Sequence, residues 1–157
     1  MSKRSARSTQ VMATGYETSV VRTALAIALV ILGIAWIAVY ILVAKDAANF
    51  TPGLGAKKPS DPLPWMSDLA KWNYAIGFGL LFLGLVVSAH KSTPLGRGRG
   101  VVIGMLGCFL IGLIWIVVYY FVQDGGPIPV MNDLGQYNLG VGIGFMAVGF
   151  SFATKWE

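Results

Sequence analysis

The residue types that most often carry chemistry are scarce in this chain. Among 157 residues there is one histidine, His90, and one cysteine, Cys108. His90 follows an apolar run and Cys108 lies inside another, so neither has a ligand or base at a catalytic spacing. The sequence shows no HExxH motif and no paired cysteines. We therefore predict no catalytic, metal or cofactor site and no enzyme activity, and we expect Cys108 to be a small lipid-facing or packing residue.

One glycine-rich stretch, LGRGRG at 95–100, superficially resembles a phosphate cradle. A dinucleotide or P-loop cradle follows a β-strand and opens a helix. No strand pattern precedes this stretch, and its arginines suit a membrane-flanking anchor. We therefore do not expect nucleotide binding here.

The most specific pattern is an aromatic residue followed by asparagine, which occurs twice. Trp72-Asn73-Tyr74 opens the run WNYAIGFGLLFLGLVVSA, and Tyr137-Asn138-Leu139 opens YNLGVGIGFMAVGFSFA. Both runs then continue apolar and rich in glycine. An aromatic anchor, followed by an asparagine that can cap the helix or hydrogen-bond a neighbouring helix, explains the pair structurally. A binding epitope shared by both copies is the alternative, and the sequence leaves it open.

The chain around these residues is strongly apolar. The chain is 55% hydrophobic and only 12% charged, whereas soluble domains carry about 25% charged residues. Four charge-free runs predict transmembrane helices at about 23–44, 72–89, 101–122 and 137–154. The predicted fold is an all-α membrane protein with four transmembrane helices.

Basic residues indicate the orientation of these helices. Eight Lys and Arg residues fall on the side that holds both termini and the 91–100 loop, and four fall on the other side. The positive-inside rule therefore places both termini in the cytoplasm. This placement suits membrane flanks rather than nucleic-acid binding. The predicted cytoplasmic basic residues are Lys3, Arg4, Arg7, Arg22, Arg97 and Arg99.

The chain also aligns with itself. ILGIAWIAVYILV at 31–43 matches LIGLIWIVVYYFV at 110–122, which pairs Gly33 with Gly112 and Trp36 with Trp115. LPWMSDLAKWNYAIGFG at 63–79 likewise matches IPVMNDLGQYNLGVGIG at 128–144. The predicted organisation is a basic tail at 1–22, a hairpin at 23–90, a loop at 91–100 and a second hairpin at 101–157. Both hairpins run in the same direction, as a parallel repeat.

Small residues predict how these helices pack. Lipid supplies no hydrophobic drive between helices, so close backbone approach through small residues provides the attraction. The second helix of each hairpin carries two such faces, which suit one partner inside the hairpin and one outside it. The predicted packing and partner residues are Gly33, Ala75, Gly77, Gly79, Gly84, Gly112, Gly140, Gly142, Gly144 and Gly149.

One carboxylate precedes the second helix of each hairpin. Asp68 and Asp133 stand just before a predicted helix start, where a negative charge favours the positive end of the helix dipole. None of the four predicted spans contains Asp, Glu, Lys, Arg or His, although ion-coupled transporters usually place such a residue inside the membrane. A small transporter or channel subunit is therefore the weaker alternative function.

Together these residues resemble the actinobacterial cell division protein CrgA family. The resemblance rests on GLIWIVVYY in the third run and on WMSDLAKWNYAIGFGLLFLGL leading into the second. Trp72-Asn73-Tyr74 carries the family signature intact, whereas the second copy departs from it, with Tyr137-Asn138-Leu139. The usual family member is one hairpin, so this chain looks like a tandem duplication of the two-helix unit.

The resemblance implies a non-enzymatic membrane protein that coordinates septum formation. It also implies contacts with divisome proteins and peptidoglycan synthases, and enrichment at division septa. The expected contacts run through the helix faces and the basic tail. The duplication leaves open whether the chain also associates with itself.

Overall fold

The computed structural model describes residues 18–53, 55–122 and 126–155, and this part of the chain is helical without any β-strand. Lys3, Arg4 and Arg7 lie outside the described residues. The helices are α1 Val20–Val39, α2 Lys45–Ala48, α3 Pro64–Leu69, α4 Trp72–Ser88, α5 Arg99–Val122, α6 Pro129–Leu134 and α7 Tyr137–Ala153, with a π-helical segment at Tyr40–Ala44 between α1 and α2.

The first long helix is longer than the charge-free run predicts. α1, the π-helical segment and α2 form one continuous helix over Val20–Ala48, 29 residues in all, about 44 Å at 1.5 Å per residue. Ser19 caps its start, where the side-chain Oγ accepts a hydrogen bond from the Arg22 amide at 3.3 Å. The predicted 23–44 boundaries were therefore too narrow, because a cap and charged end residues extend the helix beyond its apolar part.

Two helices are long and apolar enough to cross a membrane, Val20–Ala48 and Arg99–Val122. The helices α4 and α7 are apolar but shorter, at 17 residues each. At 1.5 Å per residue they measure about 26 Å, slightly less than a typical hydrocarbon core.

A short helix precedes each of these 17-residue helices. α3 and α6 both begin with proline, at Pro64 and Pro129, where a missing N–H costs nothing. Each ends at a sharp corner with positive φ, 44° at Ala70 and 50° at Gly135. The corner is the same in both copies, but only the second places a glycine where the backbone favours one.

Two helical hairpins lie side by side. In hairpin 1, α1 packs along α4, and in hairpin 2, α5 packs along α7, while α4 and α7 meet between them. The core at this meeting includes the buried side chains Tyr40, Tyr74, Phe78, Val141 and Phe145. Large apolar side chains cover the outside of the long helices, among them Ile27, Ile31, Ile34, Ile103, Leu110 and Ile114.

The loop that connects the hairpins is folded onto hairpin 1. Thr93 is buried, and its hydroxyl donates to the His90 carbonyl oxygen at 2.7 Å. The Ser19 amide donates to the Ser92 carbonyl oxygen at 2.9 Å. The loop therefore holds the start of α1 beside the end of α4.

Candidate functional site at the junction of the hairpins

Glycines close both hairpins in the same way. A Cβ atom at Gly33 would lie 2.5 Å from the Gly77 carbonyl oxygen, and one at Gly112 would lie 2.6 Å from the Gly142 carbonyl oxygen. Such distances leave no room for a side chain. The two backbones touch directly, which is how small residues promote helix association.

The remaining predicted glycines divide into three environments. Gly84 and Gly149 face the first helix of their own hairpin, with the carbonyl oxygens of Ala26 and Met105 nearby. Gly144 faces hairpin 1 instead, since a Cβ there would lie 2.7 Å from the Phe82 ring. A Cβ at Gly79 or Gly140 would meet no atom within 4 Å. The Gly140/Gly144 pair is thus split between an open position and a covered one.

The signature asparagines occupy equivalent buried positions. The Asn73 amide nitrogen Nδ2 donates to the Met66 carbonyl oxygen at 2.7 Å and to the Ala70 carbonyl oxygen at 2.9 Å. Asn138 repeats this contact with Met131 and Gly135, at 2.7 and 2.8 Å. The asparagine therefore ties its helix to the short helix before it, rather than capping the N–H groups of its own helix.

Repeat-related aromatic residues are alike at the signature and differ in the first helix of each hairpin. Trp72 and Tyr137 are exposed, 71% and 67% respectively. Trp36 packs near Trp65 of its own hairpin, with ring centroids 5.6 Å apart. Its counterpart Trp115 packs instead across the junction against Phe78, edge to face at 5.7 Å. Repeat-related tryptophans thus serve different interfaces.

A polar contact joins the hairpins at one end of the junction. The Tyr74 hydroxyl donates to Asp133 Oδ2 at 2.6 Å, and Lys45 Nζ lies 3.0 Å from the same oxygen. Tyr40 packs edge-on against Tyr74, with ring centroids 5.2 Å apart. Tyr74 and Lys45 belong to hairpin 1 and Asp133 to hairpin 2, so the three residues form a junction triad between the two copies.

Among the residues that the structure describes, the junction triad has no symmetrical counterpart. Asp68 is the repeat equivalent of Asp133, and it is exposed. The equivalent of Tyr74 is Leu139, which has no hydroxyl. Asp133 therefore has a contact that the sequence did not predict, because a tyrosine and a lysine from the other hairpin reach its carboxylate.

Aromatic packing continues the junction below the triad. The Phe82 ring meets Phe145 edge to face at 5.0 Å and covers Gly144. Aromatic pairs of this kind contribute about 0.5–1.5 kcal/mol beyond their buried area. Sequence reasoning missed Phe82 and Lys45 as junction residues. The sequence did contain one indication of the junction. Leu139 stands in the second copy where the first copy has Tyr74, which marks a position where the copies have diverged.

A groove of about 540 Å³ runs along the junction on the side where Gly79 and Gly140 are open. Its lining is mostly apolar, and its residues come from both hairpins. They are Lys71, Trp72, Tyr74, Ala75, Phe78, Gly79, Phe82, Asp133, Leu134, Tyr137, Gly140 and Val141. Three of the predicted partner residues, Ala75, Gly79 and Gly140, therefore share one composite surface.

At the end of the hairpins opposite the junction triad, the described basic residues Arg22, Arg97 and Arg99 lie around the connecting loop. Arg22 donates to the Ser92 hydroxyl at 3.0 Å and lies 3.2 Å from His90 Nδ1. Arg97 contacts the Thr18 hydroxyl, and Arg99 begins α5. Within the part of the chain that the structure describes, no three His, Cys, Asp or Glu side chains are grouped to hold a metal ion.

The fold and this junction define a class of protein: a tandem pair of apolar, glycine-packed helical hairpins. Known proteins identify the class more closely. The family described as "Cell division protein CrgA" matches residues 1–91 and again residues 88–157. The chain therefore belongs to the CrgA family of cell division proteins. The two matches confirm the resemblance seen in the sequence and indicate a repeat.

Individual relatives agree with the family match. Cell division protein CrgA from Streptomyces avermitilis is 45% identical over 53 residues, which are 34% of this chain and 60% of the relative. The protein of the same name from Corynebacterium aurimucosum is 36% identical over 75 residues, 45% of this chain and 80% of the relative. The one from Bifidobacterium longum is 44% identical over 49 residues, 31% and 45% respectively. No solved structure is significantly similar to the chain.

Proposed function

We propose that the protein is a four-span, non-enzymatic membrane component of the cell division machinery. The carrying observation is that the division-protein family matches each half of the chain separately. Each half also folds as a complete hairpin with its own glycine contact. The duplication thus repeats an entire family unit.

The membrane part of the proposal is supported by where apolar and charged side chains lie. The exposed faces of α1 and α5 are lined by isoleucine and leucine, which suits hydrocarbon and not water. Charged residues of the first long helix lie only near its ends, at Arg22, Lys45 and Asp46. α4 and α7 are short for a span, and the exposed rings of Trp72 and Tyr137 suit the headgroup zone at their starts. The excess of Lys and Arg on the side of the termini and the connecting loop supports a cytoplasmic location for both termini.

The relatives are named for cell division, and the sides of this chain are apolar. We therefore place this chain at division septa, in contact with divisome proteins and peptidoglycan synthases. Helix faces serve partners inside the bilayer, and the basic tail with Lys3, Arg4 and Arg7 serves cytoplasmic partners or anionic lipid.

Topology can be tested by labelling single cysteines with a membrane-impermeant maleimide. In a Cys108→Ser background, Ser60→Cys in the α2–α3 loop should react in intact spheroplasts. Leu95→Cys in the connecting loop should react only after permeabilisation. Both positions are exposed, so the difference reports the side of the membrane. Equal labelling of the two in intact spheroplasts contradicts the four-span topology.

The division role can be tested by imaging a fluorescent fusion at the N-terminus in an actinobacterial host. We expect enrichment at septa from the onset of constriction. A uniform membrane signal throughout the cell cycle would overturn the division role and leave the membrane topology standing.

A further inference from the structure

We propose that the groove between α4 and α7 is the docking site for one transmembrane helix of another protein, a helix with small side chains on its docking face and a carboxylate where it leaves the membrane. This inference rests on the proposed function, and it assigns the partner surface to a place that both hairpins build together.

The groove has the same glycine-lined walls that this chain uses to pack its own helices, but no helix occupies it. Within each hairpin a glycine sits directly on the backbone of the partner helix, Gly33 on Gly77 and Gly112 on Gly142. Gly79 and Gly140 line the two walls of the groove, and each has open space where a side chain would be. A glycine inside a helix costs about 1 kcal/mol relative to alanine. Contacts inside the chain account for the first four glycines and not for these two.

The rim of the groove carries a positive charge that has no partner among the described residues. At the rim of the groove the Asp133 carboxylate is already paired with Lys45 at 3.0 Å. Lys71, on the same rim, makes no ion pair with any residue of the described part of the chain. The rim therefore presents one unopposed positive charge. A carboxylate at the end of an incoming helix would repeat the lysine–aspartate pair that joins the two hairpins.

The open glycines on both walls distinguish a helix from a lipid chain as the occupant of the groove. A phospholipid also offers an anionic group for Lys71 and an apolar chain for Phe78 and Phe82. A flexible acyl chain gains nothing specific from bare backbone on both walls, whereas a helix gains close van der Waals contact along its length. The paired glycines thus favour the helix.

Photocrosslinking in growing cells tests the proposal. Tyr137 is replaced by p-benzoylphenylalanine, which keeps an aromatic ring at the rim of the groove. The matched control carries the same replacement at Tyr120, an exposed tyrosine near the end of α5 that does not line the groove. After irradiation, adducts are digested and identified by mass spectrometry.

The expected result is an adduct at position 137, absent at 120, with a peptide from the membrane segment of a second polypeptide that bears Asp or Glu at its outer end. The double variant Gly79→Leu/Gly140→Leu should abolish this adduct by filling the groove. Gly107→Leu, at another open helix position, should not. Lys71→Gln should reduce the yield about two- to fivefold, as expected for an exposed ion pair.

Three results would overturn the proposal: adducts at 137 with phospholipid alone, adducts with a second copy of this chain, or yields that the glycine variants leave unchanged. The unfolding temperature of the purified double variant shows whether that variant still folds. Lys71→Gln changes an exposed side chain, so its effect on the adduct yield does not depend on the folding of the double variant. Septal enrichment of the fluorescent fusion is measured in the same cells. If the Tyr137 probe gives no protein adduct in the otherwise unchanged chain while septal enrichment is intact, the groove is rejected and the division role is kept.

Discussion

The two hairpins of this protein share their internal contacts and differ where they meet. In each, glycine packs on glycine and asparagine ties the 17-residue helix to the short helix before it, with nearly equal distances. At the junction the copies play different parts. Hairpin 1 supplies Tyr74 and Lys45, and hairpin 2 supplies the carboxylate of Asp133.

This difference shows how a duplicated unit becomes one molecule. A symmetrical pair of hairpins would present the same patch twice, whereas here two different patches meet in a heterologous contact. Contacts that close each hairpin have to remain in both copies, since each hairpin depends on them for its own packing. Contacts between the hairpins are free to specialise, and the divergence of Tyr74 and Leu139 is the result.

The largest expected effect comes from the contact that the copies share. Gly33→Leu and Gly112→Leu should each destabilise the protein by more than about 3 kcal/mol, because the new side chain collides with backbone that cannot move aside. Thermal unfolding in detergent micelles, followed by circular dichroism, measures the loss. Gly107→Leu, in open space, is the matched control. A large effect in only one hairpin would break the equivalence of the copies.

The next effect comes from the contact that the copies do not share. Asp133→Asn should cost about 1.5–3 kcal/mol, since it weakens a charged hydrogen bond and an ion pair. Asp68→Asn, the same change in the other copy, should be nearly neutral because Asp68 is exposed. A double-mutant cycle with Tyr74→Phe gives the coupling across the junction. Equal effects of the two aspartate variants would contradict the asymmetry.

The signature asparagines sharpen the comparison at a smaller magnitude. Asn73→Leu and Asn138→Leu each remove two hydrogen bonds to carbonyl groups, and each should cost about 1–2 kcal/mol. Chemical denaturation in micelles provides the measurement, and the two variants serve as controls for each other. If one asparagine proved neutral, the shared role of the aromatic–asparagine signature would be refuted.

The smallest effect concerns the corner before each 17-residue helix. Ala70 adopts φ 44° where Gly135 adopts φ 50°. Ala70→Gly should therefore stabilise the protein by about 1 kcal/mol through relief of backbone strain, and Gly135→Ala should destabilise it by a similar amount. The unfolding midpoint of the two variants should move in opposite directions. A shift in the same direction would show that the corners are not equivalent.

Much of this architecture could be predicted from residues that lie close together in the chain. Apolar runs mark the long helices, because a helix depends on its own residues for its backbone hydrogen bonds. Their ends were less certain, and the first helix extends to Ala48 because its charged last turn still satisfies the helical ladder. The short helices α3 and α6 were not among the predicted elements, because six residues are too few to show a helical apolar period.

The candidate site was only partly predictable. Glycine spacing shows that a helix has smooth faces, but it cannot say which face meets which neighbour. Gly144 and Gly79 look alike in the sequence, yet one is covered by Phe82 and the other lines an open groove. The difference depends on how each helix is rotated about its axis, and residues far away in the chain decide that rotation.

The sequence is sufficient to show a duplicated, apolar helical hairpin that resembles the CrgA family. The duplication and the apolar helices depend on composition, on local periodicity and on motifs that recur within one chain. The contacts of Tyr74 and Lys45 with Asp133, and the groove lined by glycines of both hairpins, follow from the tertiary structure. The tyrosine and the aspartate are 59 residues apart, and their contact exists only because the packing of α4 against α7 brings their side chains to the same place.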